Sequence, residues 1–112
     1  MTLRITAQSG ESFDILKVSG EIDYSNCELF SERAEEILAM GRGVIADLRD
    51  VAYLDSHTVG RLLHIRETAV KNEEPFVIVP GPLVEEILEM AGLIHLFTIH
   101  GSIEEAVGRM EP

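Results

Sequence analysis

Val51-Ala52-Tyr53-Leu54-Asp55-Ser56-His57-Thr58-Val59-Gly60 lies at the midpoint of a 112-residue chain, and its reading decides the rest. A short apolar run leads in, and Asp55-Ser56 follows it directly. Beyond it Val59, Leu62, Leu63, Arg66, Ala69 and Val70 recur at three- and four-residue spacings, which predicts a helix to about Lys71. An Asp and a Ser therefore stand where an extended segment hands over to a helix. The first turn of a helix carries unpaired N–H groups and the positive end of the dipole. A hydroxyl there can cap the helix; once phosphorylated, it sets new negative charge against backbone donors. Ser and Asp are also the commonest N-caps, so a plain cap is the simpler account from position alone.

The bulk of the chain narrows the classes. Its length suits one domain, 1–112, with a core that needs neither disulfides nor a metal. The net charge of −11 disfavours nucleic-acid phosphates and anionic membranes, and suits a basic protein partner or simple solubility. Cys27 is the one cysteine, expected as a buried thiol on a helix face, so no disulfide forms within the chain. That composition, with no signal-peptide pattern at Met1-Thr2-Leu3-Arg4 and no membrane-length apolar run, predicts a cytoplasmic setting without membrane insertion.

Taken in order, Leu3, Ile5 and Ala7 alternate with Arg4 and Thr6 as a half-buried strand, and Ser9-Gly10-Glu11-Ser12 makes a turn. Phe13, Ile15 and Leu16-Lys17-Val18 give a second, antiparallel strand that Gly20 ends, and Gly20-Glu21-Ile22-Asp23 reads as a loop. Ser25 and Glu28 have capping-box spacing ahead of a helix with Cys27, Phe30, Ala34, Ile37 and Leu38 on its apolar side and Gly41 after it. Val44-Ile45-Ala46-Asp47-Leu48 and Pro75-Phe76-Val77-Ile78-Val79 read as strands covered on both faces. Pro82 opens a third helix with Val84, Ile87, Leu88 and Ala91 inward, closed by Gly92. Leu96-Phe97-Thr98-Ile99 is a last strand, and Ser102 with Glu105 forms a second capping box ahead of Ile103, Ala106, Val107 and Met110. The order β-β-α-β-α-β-α-β-α predicts an α/β fold with parallel strand pairs and right-handed crossovers.

Little of the chain reads as catalytic. Neither Gly-x-x-x-x-Gly-Lys-Ser/Thr nor Gly-x-Gly-x-x-Gly is present, so no phosphate-cradling loop is expected. His57 and His64 can share a helix face, but no Cys or clear third ligand accompanies them as zinc requires. Asp55, Ser56 and His57 supply all three triad residue types. Consecutive residues entering a helix point in different directions, however, and no Gly-x-Ser-x-Gly elbow frames the serine.

Five short motifs stand in a fixed order: Gly20-Glu21-Ile22-Asp23; Asp47-Leu48; Val51 to Ser56; Ala91-Gly92-Leu93; and Ser102-Ile103-Glu104-Glu105-Ala106. Together, across essentially the whole chain, they resemble the STAS domain family, and within it the small single-domain anti-sigma factor antagonists. The resemblance implies a mixed sheet of about five strands with about four helices and no enzymatic activity or cofactor of its own. It implies binding to an anti-sigma factor with a histidine-kinase-like ATPase fold that is also a serine kinase, which frees the sigma factor. That kinase phosphorylates the serine after the Asp, and a PP2C-type phosphatase restores it. By position the phosphoacceptor is Ser56, with Thr58 as a second hydroxyl. The partner-binding set is Asp23, Asp55, Ser56, His57, Thr58 and Gly60. A weak homodimer is a further expectation.

The family stretch Asp-Ser-(Ser/Thr)-Gly-(Leu)-Gly reads here Asp55-Ser56-His57-Thr58-Val59-Gly60. His57 replaces a small hydroxyl residue. Thr58 puts a side chain where the family lets a partner's backbone approach. An alternative role stays open beside the first: a scaffold or accessory subunit of a sensory, stressosome-like or transport complex, without a phospho-switch.

Overall fold

The computed structural model describes residues 2–111 of the chain. Its centre is β3, Gly43–Leu54, the longest strand. β3 pairs in parallel with β2 (Phe13–Ile22) on one side and β4 (Phe76–Pro80) on the other. β1 (Arg4–Ser9) lies antiparallel on β2, and β5 (Thr98–Ile99) lies parallel on β4, so the sheet order is β1-β2-β3-β4-β5. The helices are α1 (Cys27–Ala39), α2 (Ser56–Lys71), α3 (Pro82–Met90) and α4 (Ile103–Met110), with a short 3-10 turn at Ile94–Leu96.

Alternation along the strands explains the layers. Val44, Ala46 and Leu48 of β3 and Leu16 and Val18 of β2 turn to one face, where Phe30, Leu38, Leu62, Ile65, Val84 and Leu88 of α1, α2 and α3 cover them. Ile45 of β3, Phe13 of β2 and Val77 and Val79 of β4 turn to the other face, which α4 covers with Ala106 and Met110. A strand buried on both faces reads as a continuous apolar run, which is why β3 and β4 were legible.

Several local expectations give way to the structure. Gly20 does not end β2. The strand runs on to Ile22, with register shifts at Lys17/Ser19 and Gly20/Glu21, and Gly20 takes a φ of +96° at the irregularity. A Cβ at Gly20 would meet the Thr2 carbonyl oxygen, so the close approach also demands glycine. The inward face of α2 keeps Leu62 and Ala69, with Val59 and Leu63 packed partly against the core, but it also takes in Thr58 and Ile65, and Val70 is 66% exposed. Asp47, inside an apolar run, is buried with its carboxylate on the Arg49 guanidinium at 2.9 and 3.0 Å. Leu96 belongs to the 3-10 turn, which leaves β5 only two residues.

The expected capping box at Ser25 and Glu28 does not form. α1 begins at Cys27 after Asn26, with no side-chain cap. The second box forms in part: Ser102 Oγ accepts from the Glu105 N–H at 3.1 Å, and Glu105 Oε2 accepts from the Gly101 N–H.

Candidate functional site

Because β2 and β3 are parallel, their C-terminal ends and the starts of α1 and α2 come together at one end of the sheet. In parallel α/β sheets that end is where the chain gathers loops and helix N-termini, and where binding sites are commonly built. Here β2 delivers the loop Asp23–Asn26, and β3 delivers Asp55 and Ser56.

Asp55 is the N-cap of α2. Its Oδ1 accepts from the Thr58 N–H at 3.0 Å and lies 3.0 Å from the Thr58 hydroxyl oxygen. Its Oδ2 accepts from the Tyr24 N–H at 3.0 Å, thirty-one residues away in sequence. One carboxylate thus caps a helix and ties down the neighbouring loop. Burial by itself would raise the Asp55 carboxyl, but the bonds from Thr58 and Tyr24 outweigh it and hold the group below the ordinary carboxylate value.

Ser56 is the first residue of α2, and it is exposed. It is not the cap; Asp55 is. The amides of the first helical residues have no intrahelical acceptor; Asp55 takes that of Thr58, which leaves those of Ser56 and His57 as the donors nearest the Ser56 side chain. His57 is exposed beside it, with Nδ1 3.8 Å from Asp55 Oδ2 and its ring 6.0 Å from the Tyr24 ring. Gly60, one turn on from Ser56, is exposed, and an added Cβ there would meet nothing within 4 Å.

Thr58 corrects an expectation. It is 1% exposed, and its hydroxyl lies 3.1 Å from the Ile22 carbonyl oxygen at the end of β2. The side chain therefore points into the protein and stitches α2 to β2. It is neither an accessible phosphoacceptor nor part of a surface that a partner can touch. The departure from the family glycine is an internal brace.

Asp23 is half-buried, and its carboxylate accepts from both the N–H and the hydroxyl of Ser25. These bonds hold the Asp23 carboxyl below its ordinary value. The Asp23 N–H donates to Asn26 Oδ1 at 2.9 Å, and Asn26 Nδ2 donates to the Glu21 carbonyl at 3.0 Å. The loop is a self-bonded Asx-type turn.

A scan against family models matches the STAS domain over residues 4–106. The chain belongs to the STAS domain family. A curated relative, the STAS-domain containing protein of Pseudomonas aeruginosa, is 29% identical over 85 residues, spanning 75% of this chain and 84% of that one. Among solved structures, an anti-sigma factor antagonist from Mycobacterium paratuberculosis superposes with a TM-score of 0.86 at 21% identity, over 97% of this STAS chain and 94% of its own. The Bacillus cell fate determinant SpoIIAA, solved in its phosphorylated form, gives 0.73 at 17% identity, over 98% and 100%. At such identities the likeness is one of fold, and the mixed five-stranded sheet with four helices is the STAS fold.

Within this STAS domain the structure brings Asp23, Asp55, Ser56, His57 and Gly60 to one end of the sheet and turns Thr58 inward. Sequence reasoning missed Tyr24 and gave no role to Tyr53, which lies inside residues 51–60. Tyr24 is 74% exposed in the loop after β2, and Tyr53 is half-exposed near the end of β3. The signal for Tyr24 was a large aromatic among polar turn residues, where no strand or helix face needs one. The Glu28–Arg61 ion pair at 2.8 Å, which bridges α1 and α2 nearby, was also not foreseen.

Proposed function

We propose that this chain is an anti-sigma factor antagonist whose docking face is the end of the sheet around Ser56, and that phosphorylation of Ser56 switches docking off. The observation that carries the reading is the contrast between two neighbouring hydroxyls: Ser56 is exposed at the start of α2, and Thr58 is sealed beneath it. The unmodified serine is neutral and sits among Tyr24, His57 and the open surface of Gly60. An anti-sigma factor with a histidine-kinase-like ATPase fold docks there and so releases its sigma factor.

In the same complex the kinase transfers the γ-phosphoryl group of ATP to Ser56 Oγ. The serine gives up its proton, and ADP leaves. The product carries about 1.5 to 2 negative charges at neutral pH. Asp55 and Asp23, both held ionised by their hydrogen bonds, already surround the site with negative charge. In a desolvated interface this opposes binding by about 2–5 kcal/mol, a factor of about 30 to several thousand in affinity. The fold tolerates the group, because the helix start offers amide donors and a favourable dipole. A PP2C-type phosphatase hydrolyses the phosphoserine and restores docking. Such a role is cytoplasmic, and no helix among the described residues is long and apolar enough to cross a membrane.

The test is incubation with the kinase partner and Mg-ATP, followed by mass spectrometry and calorimetry. Label is expected on the peptide containing Ser56 and is lost in Ser56→Ala. Ser56→Asp is expected to bind the partner at least about thirtyfold more weakly. Label confined to another residue, or a Ser56→Asp variant that binds as tightly as wild type, rejects the reading.

A further inference from the structure

The two edges of the sheet are guarded very differently. β5 exposes only two residues, too short to offer a ladder. β1 is a regular six-residue strand, and its register with β2 runs unbroken from Arg4↔Ser19 to Ser9↔Asp14. It has no proline and no bulge, and Arg4 is its one charge, so most of the devices that natural sheets use to blunt an edge are absent.

The hydrogen-bond phase shows what that edge presents. The Gly10 N–H donates to the Phe13 carbonyl, which makes Gly10/Phe13 a hydrogen-bonded pair. Alternation then gives bonded pairs at Gln8/Ile15, Thr6/Lys17 and Arg4/Ser19. Ile5, Ala7 and Ser9 therefore turn their N–H and C=O groups outward, and among the described residues no strand receives them. Beside the edge lies a groove of about 300 Å³ lined by Leu3, Ile5, Leu29, Glu32, Arg33 and Glu36. Leu29, on α1, is 59% exposed over it.

We propose that β1 is the surface through which two copies of this chain associate, edge to edge and antiparallel, continuing the sheet across a two-fold axis. An antiparallel strand can pair with a copy of itself, and the rotation then sets each outward donor against an outward acceptor. Registers that keep Leu3, Ile5 and Ala7 on the helix-covered side bring the two Leu29 ledges together over the joint. The ledge carries both signs, so Arg33 of one copy can face Glu32 and Glu36 of the other. The contact is small, and each copy carries a net charge of −11, so the association is weak and tightens with salt. It leaves the start of α2 uncovered and does not depend on the phospho-switch.

Sedimentation equilibrium from micromolar to millimolar protein, at low and high salt, tests this together with amide exchange. Wild type is expected to dimerise reversibly, more tightly in high salt, with Ile5 and Ala7 amides slowing as concentration rises. Ala7→Pro deletes one outward donor without touching the β1–β2 ladder, and Leu29→Glu charges the ledge at an already exposed position. Each is expected to weaken association by about tenfold or more, with circular dichroism unchanged. Should Ala7→Pro fail to fold, Leu29→Glu and the exchange rates still decide. A monomer up to millimolar concentration, a dimer untouched by Leu29→Glu, or Ile5 and Ala7 amides protected only by a foreign protein overturns the proposal.

Discussion

The starts of α1 and α2 lie side by side at the same end of the sheet, yet they are built on different principles. α2 opens on Asp55, whose carboxylate takes the Thr58 N–H on one oxygen, with the Thr58 hydroxyl 3.0 Å away, and the Tyr24 N–H on the other. α1 opens on Asn26 with no side-chain cap, because Asn26 bonds backward to Asp23 and Glu21, and the Ser25 hydroxyl is taken by Asp23. One start is fastened to its own helix and to β2. The other spends its polar groups on shaping the loop in front of it. The exposed serine sits on the fastened start. On the proposed reading, a serine that a partner recognises and modifies is thus held on well-fastened backbone, beside a loop of fixed shape.

Four substitutions test this contrast. Thr58→Val keeps the shape and removes the hydroxyl that reaches the Ile22 carbonyl, leaving buried polar atoms short of a partner. It is expected to cost about 1–3 kcal/mol in urea unfolding. Asp55→Ala removes the cap and the tie to Tyr24, with an expected cost of about 0.5–2 kcal/mol and faster exchange of the Tyr24 amide. The sign with pH follows from the lowered Asp55 carboxyl. Its contribution is full above the ordinary carboxylate range and fades as pH falls through the folded value. The gap between wild type and Asp55→Ala should therefore be widest at neutral pH and close on acidification.

Gly60→Ala is expected to act in the opposite direction on stability. The added methyl meets nothing, so it should stabilise α2 by about 0.5–1 kcal/mol. If Gly60 is there for a partner's close approach, the same variant binds the proposed kinase partner more weakly, and calorimetry separates the two effects. Ser25→Ala should be the mildest. It is expected to lower thermal stability only slightly, less than Asp55→Ala, while the Asp23 carboxyl, read by NMR titration, moves back toward its ordinary value. A loss as large as that of Asp55→Ala would make the start of α1 as much a fastening as that of α2.

Two copies of one local pattern show where sequence reading stops. Ser25-x-x-Glu28 and Ser102-x-x-Glu105 have the same spacing, and only the second serine caps its helix. The Ser and Glu positions alone do not distinguish them. The difference is Asp23, two residues upstream, whose carboxylate captures Ser25. The face of α2 was read only in part, for a related reason. Leu63, Ile65 and Val70 are of similar character, and periodicity cannot choose between adjacent stripes. Packing against both the sheet and α1 selects Leu62, Ile65 and Ala69, and it draws in Thr58 because the Ile22 carbonyl is waiting.

The order of elements, the strands buried on both faces and the point where β3 hands over to α2 are legible in the chain. Those features are written in apolar periodicity and turn chemistry, which act within a few residues. Which of two hydroxyls is presented and which is sealed in depends on the folded molecule, because that choice rests on the Ile22 carbonyl and the Tyr24 amide. Both come from a segment more than thirty residues away, brought there by the parallel pairing of β2 with β3.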